Sequence, residues 1–165
     1  MGNSVDRLFQ EWHRMGGAVL VAEADPATQA RPPEELLAES TQYCRDSGRL
    51  TWVIVDWLIR HAEEINEEAL LQRTREQGEL SVLGVLCDAA YQRNRHAMLE
   101  RVMRACAPHP EMVPFFHRVA RSPLALRLTR ENALELFRRW NYLCAELRYL
   151  VDEGAGLAKG AKPAA

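Results

Sequence analysis

Residues 50–61 read LTWVIVDWLIRH. Wound as a helix, Leu50, Val53, Ile54, Trp57 and Leu58 fall on one stripe, while Trp52, Val55 and Ile59 cover the other side. A helix without a polar face is buried between neighbours, so this segment is expected at the centre of the fold. Its single acid, Asp56, stands one turn before Arg60, the spacing of an intrahelical ion pair.

The helical pattern continues on both sides. Downstream, helices are expected at about 66–77, 80–93 and 96–106. Gly48, Leu50, Thr51, Val53 and Val55 recur as Gly78, Leu80, Ser81, Leu83 and Val85, a faint repeat of helical hairpins with fewer copies than a stable solenoid needs. Upstream, Val5, Leu8, Phe9, Trp12 and Met15 mark a helix over 4–15 that Gly16-Gly17 closes. Residues 18–22 are apolar but too short for periodicity to decide; a lone strand would lack a partner, so a connector is expected. The loop 24–33, ADPATQARPP, hands over at Pro33 to a helix whose first turn carries Glu34 and Glu35, both features of a helix start. That helix is expected to end around 46–48.

Beyond residue 106, Pro108, Pro110 and Pro114 interrupt the pattern, and a short helix is expected from Pro114 to Arg121. Ser122-Pro123 reads as a further break. A last helix is expected over 129–151, capped by Thr129, with Ala133, Leu136, Phe137, Trp140, Leu143, Cys144, Leu147, Leu150 and Val151 along one face. The Gly/Ala-rich residues 153–165 read as a disordered tail. No stretch alternates as a half-buried strand does. The expected fold class is all-α, a single-domain bundle or short right-handed stack of about seven to eight helices built from helical hairpins, spanning 1–152.

At 165 residues, the chain is long enough to bury a core without disulfides or metal. Cys44, Cys87, Cys106 and Cys144 form no C-x-x-C pair and no zinc-ligand spacing, so all four are expected as reduced packing residues. Asp6, Arg7, Glu11 and Arg14 interrupt the opening stretch, so no secretory leader is expected and the expected location is cytoplasmic. The longest apolar run, 50–59, is about half the roughly 20 residues a membrane span needs.

The net charge of −2 conceals a division. Residues 1–92 carry 8 Arg against 16 acids, while residues 93–148 carry 11 Arg against 5 Glu. Such asymmetry has two physical outlets: the halves pair with each other, or one of them meets an anionic partner. Arg93, Arg95, Arg104, Arg118, Arg121 and Arg138, with Tyr142 and Tyr149, are the candidate interaction residues. Arginine and tyrosine together suit protein interfaces and also phosphates and stacked bases.

Phosphate loops, H-E-x-x-H, G-x-S-x-G, calcium loops and the Glu-x-x-His of di-iron bundles are all missing from the sequence, so no cofactor or metal is expected. A helix-turn-helix over 66–93 would present mainly Val, Leu and Ala from its second helix, where base edges require polar side chains. Arg104 and His109 have an R-x4-H spacing that resembles the motif of HEPN ribonucleases, small all-α proteins in which an arginine and a histidine act on the RNA backbone. That resemblance covers two residues and implies RNA cleavage. Read without it, the pair is a helix-terminal arginine and a loop histidine, with Pro108 disturbing the helical setting between them.

Three functions are therefore expected in descending order. First stands a non-enzymatic protein-interaction or regulatory module using a groove or the Arg/Tyr face. Nucleic-acid binding through 93–148 comes next, and a HEPN-like ribonuclease last.

Overall fold

The computed structural model describes residues 2–21, 23–28 and 30–146. Among them are eight α-helices and almost no strand, so the fold is all-α. The first six helices are α1 (Gly2–Arg14), α2 (Pro33–Ser40), α3 (Gly48–His61), α4 (Glu67–Gln77), α5 (Leu80–Arg93) and α6 (Ala97–Ala105). Local chemistry explains the starts of α3, α4 and α6. Ser47 accepts a hydrogen bond from the Leu50 amide at 3.1 Å, Asn66 one from Ala69 at 3.0 Å, and His96 Nδ1 one from Met98 at 3.1 Å. Each satisfies a donor that the first helical turn leaves open.

As expected, α3 lies at the centre. Leu50, Thr51, Val53, Ile54, Val55, Trp57 and Leu58 are buried, and Asp56 pairs with Arg60 at 2.8 Å. Its closest packing is with α5, whose residues from Ser81 to Ala90 are all buried; α2 packs on α4, and α5 on α6. Trp57 meets Trp12 of α1 edge to face at 5.4 Å between ring centres. Both indoles are satisfied, Trp12 Nε1 by Ser40 Oγ at 3.0 Å and Trp57 Nε1 by the Met15 carbonyl at 3.2 Å. Residues 18–21 form neither helix nor strand, as expected of a connector.

Helix α2 is shorter than expected. After Ser40, Thr41 turns its hydroxyl back to the Ala38 carbonyl at 2.7 Å, and the chain passes into a 3-10 turn, Cys44–Asp46. Such local bonds compete with helix continuation.

The larger departure lies at the other end. Val113–Pro114 is a two-residue strand, β1, where a helix start was expected, and a 3-10 turn follows over His117–Arg121. Ser122-Pro123 starts a helix rather than breaking one: α7 (Pro123–Glu131) has Pro123 in its first turn, and the Ser122 hydroxyl accepts from Ala125 at 3.2 Å. The expected continuous helix 129–151 does not form within the described residues. After α7 come a single turn, α8 (Glu135–Arg138), then Asn141 at φ 61°, then a strand, β2 (Tyr142–Leu143). β2 runs parallel to β1, with Tyr142 opposite Val113 and Leu143 opposite Pro114. Asn141 in the left-handed region breaks helical continuation, and Tyr142, Leu143 and Cys144 are then buried in succession, as an extended segment enclosed on both faces allows.

Candidate functional site

Helix α7 is the least integrated of the longer elements. None of its residues is buried, and among the described elements its only close packing is with the turn His117–Arg121. Ala125 and Leu126 lean on the core, while Leu124 and Leu128 remain 54% and 47% exposed. One turn apart, these two leucines form a short apolar flank. Arg127 and Arg130 lie on the exposed side beside them, and Arg121 stands at the head of the helix. Among the described residues no acid or other partner holds the side chains of Arg121, Arg127 or Arg130.

A cleft of about 290 Å³ opens next to the turn, lined by Val5, Tyr43, Arg45, Asp46, His117, Arg118 and Arg121. It joins α1 and the Cys44–Asp46 turn to the arginine-rich half. His117 Nδ1 meets Asp46 Oδ1 at 2.8 Å, and Arg118 pairs with Glu146 while lying over the Phe116 ring at 5.1 Å. Arg45 is held most firmly: Nε donates to the Phe115 carbonyl at 2.8 Å, Nη2 to the Pro114 carbonyl at 2.9 Å, and the guanidinium lies 5.0 Å from the Tyr142 ring centre. No carboxylate neutralises it among the described residues.

The arginines thus separate into groups. Arg95 covers Tyr91 at 4.7 Å, Arg101 pairs with Glu67 at 2.7 Å and Arg104 with Glu100 at 3.0 Å, all around α5 and α6, where exposed Arg93 also lies. Arg118, Arg121, Arg127 and Arg130 belong to the turn and α7, which do not pack closely against α6. Arg138 donates to the Arg130 carbonyl at 3.3 Å, and Arg139 reaches Asp88 at 2.9 Å. Pairing between the halves, at Arg101–Glu67 and Arg139–Asp88, accounts for part of the charge division. The arginines of the turn and α7 carry the remainder outward.

Tyr142, expected as an interaction residue, is instead buried, with its hydroxyl 2.6 Å from Ser81 Oγ. Burial pushes its pKa up, against the opposing effects of the Ser81 hydrogen bond and Arg45. It is a core residue that positions Arg45. Tyr149 lies outside the described residues. Arg104 and His109 are engaged separately: His109 stands beyond the end of α6, its Nδ1 near the Glu111 backbone and its ring 5.3 Å from that of Tyr142.

A second cleft, about 650 Å³ between α1, the 23–28 loop and α2, is lined largely by charges that satisfy one another. Arg31 meets Glu11 and Glu39 at 2.6 Å each, and Arg7 meets Glu11 at 2.6 Å and also Glu39. No group of His, Cys, Asp and Glu able to hold a metal occurs among the described residues, and no helix there is long and apolar enough to cross a membrane.

Sequence reasoning identified Arg118 and Arg121 but passed over Tyr43, Arg45 and Asp46, which reach the cleft from the acidic half. It also passed over Leu124 and Leu128. Ser122-Pro123 followed by leucines one turn apart was the available sign of a helix start and an apolar flank. Comparison with protein families, with curated proteins and with solved structures finds no match for this chain.

Proposed function

We propose that the chain is a non-enzymatic helical interaction module that docks another protein along α7 and the turn preceding it. The observation that carries this reading is a helix that buries none of its own residues yet exposes Leu124 and Leu128 beside three arginines without acidic partners among the described residues. Leucines exposed in water gain free energy on burial, at roughly 25 cal/mol per Å². Uncompensated arginines add attraction for an acidic surface, steering encounter and setting orientation. The complementary partner is an amphipathic acidic segment, with apolar residues for the Leu124–Leu128 flank and carboxylates for Arg121, Arg127 and Arg130.

The test is affinity capture from the cells that make the protein, with and without nuclease, comparing the native chain with Leu124→Asp/Leu128→Asp. A protein retained through nuclease treatment and lost from the double variant supports docking. Capture that disappears with nuclease and ignores the leucines would replace this reading with nucleic-acid binding.

A further inference from the structure

We infer that the cleft beside the turn His117–Arg121 is a binding site for a phosphate monoester. Its lining combines Tyr43, Arg45, Asp46, His117, Arg118 and Arg121. Two of these cations, Arg45 and Arg121, have no carboxylate partner among the described residues, and they approach from opposite halves of the sequence. Arg118 is balanced by Glu146, and Asp46 accepts from His117 Nδ1.

The donors that remain are therefore Arg121, the unused Nη1 of Arg45 and the Tyr43 hydroxyl. A phosphate monoester carries about −1.5 to −2 charges near neutral pH and presents three acceptor oxygens. The two uncompensated guanidiniums attract that charge more strongly than Asp46 on the same lining repels it, and the planar guanidinium fork suits phosphate oxygens better than a point charge does. Arg45 needs no reordering to take part, because two carbonyls and the Tyr142 ring already hold it. Such preorganisation lowers the cost of binding. At about 290 Å³, the cleft lies at the lower edge of small-ligand pockets, which run from roughly 300 Å³ upward. It fits a phosphate with a short attached group.

That group can be a small free molecule or a phosphorylated side chain of the protein docked on α7. Arg121 belongs to the cleft and also stands three residues before Leu124, so a partner lying on α7 passes the cleft's rim. This second source rests on the docking proposed above; the affinity of the cleft for phosphate does not.

The experiment follows backbone amides 117–121 by NMR in the full chain at constant ionic strength. Three probes are titrated: glycerol phosphate, a peptide of Asp and Leu with one phosphoserine, and the same peptide unphosphorylated. Saturable shifts with glycerol phosphate, weakened roughly tenfold in Arg121→Gln, are expected. Arg121 is exposed, so the substitution retains the fold. Tighter binding of the phosphopeptide, returning to the glycerol phosphate level in Leu124→Asp/Leu128→Asp, assigns the phosphate to the docked partner. Equal binding of both phosphorylated probes keeps the site and assigns it to a free monoester. Absence of saturation with either phosphorylated probe, affinity unchanged in Arg121→Gln, or equal shifts from the unphosphorylated peptide would overturn the inference.

Discussion

Trp140 Nε1 donates a hydrogen bond to Asp88 Oδ2 at 2.9 Å, across a separation of 52 residues. Asp88 is 1% exposed, and the same carboxylate receives Arg139 on both oxygens, at 2.9 and 3.1 Å, and Gln92 at 3.0 Å. The acid is thereby the anchor that fastens the chain after α8 to the buried helix α5. A buried carboxylate with four donors is tolerated because its lone pairs are filled; the donors depend on it in turn.

Asp88→Ala should therefore cost about 2–4 kcal/mol, since it strands the indole N–H and a partly buried guanidinium. Urea titration followed by tryptophan fluorescence checks this. A loss below about 0.5 kcal/mol, the range of neutral surface changes, would show that the carboxylate is not the anchor.

The same tryptophan makes Gly84 irreplaceable. A Cβ on Gly84 would stand 2.6 Å from both Cε3 and Cη2 of the Trp140 ring. Alanine improves a helix interior by about 1 kcal/mol over glycine, but overpacking against a rigid ring costs about 1–3 kcal/mol, so Gly84→Ala should destabilise. In a Trp140→Leu background the clash is gone and the substitution should become neutral or stabilising. A double-mutant cycle by thermal unfolding measures the coupling, and additive effects would contradict the contact.

These two contacts also explain what the sequence could and could not disclose. Helices α3 to α6 were legible because local signals agree with burial: Ser47 and Asn66 cap, and the apolar run 80–90 fills the core. The C-terminal part was not, because Leu136, Phe137, Trp140, Leu143 and Cys144 satisfy helical spacing while serving another geometry. Nothing local announces that Asn141 takes φ 61° or that Tyr142 pairs with Val113. The cleft was half legible for a similar reason. His117, Arg118 and Arg121 cluster in sequence, whereas the bond from Arg45 to the Phe115 carbonyl spans 70 residues, and a single sequence records no such pairing.

Acid should loosen the amino-terminal network. Burial alone would raise the pKa of Glu39, but hydrogen bonds from Arg7 and Arg31 outweigh it and hold the carboxyl below its ordinary value of 4.5. A depressed folded-state pKa stabilises the fold above the unfolded value, and that stability is lost as pH falls through the folded one. Stability measured by denaturant titration should decline from about pH 4.5 downward. Glu39→Gln should lower stability at pH 7 by about 1 kcal/mol and flatten that decline; an unchanged acid limb would remove Glu39 from its cause.

The four cysteines should be inert in the folded chain. Burial pushes the thiols of Cys44, Cys106 and Cys144 up to about 12 and that of Cys87 well above its ordinary value. Since the thiolate is the reactive form, a disulfide reagent at pH 8 should react slowly with native protein and promptly with four thiols per chain in denaturant. A fast-reacting thiol in the native state would contradict this burial.

Helix α7 should be the first long element to open. A helix of 9 residues is too short to stand alone in water, where lengths below about 12–15 residues are marginal. It must be held by packing, yet α7 buries none of its residues and leans on one 3-10 turn, while α5 is buried from Ser81 to Ala90. Local unfolding free energy follows buried contact, so amides within α7 should exchange with solvent through local opening, while those of 84–90 in α5 exchange only with global unfolding. Native-state hydrogen exchange read residue by residue separates the two. Replacing Leu124 and Leu128 by Asp should leave the protection of α5 unchanged, because neither leucine belongs to the core. If the α7 amides proved as slow as those of α5, the helix would be an integral part of the fold and its exposed leucines an ordinary surface.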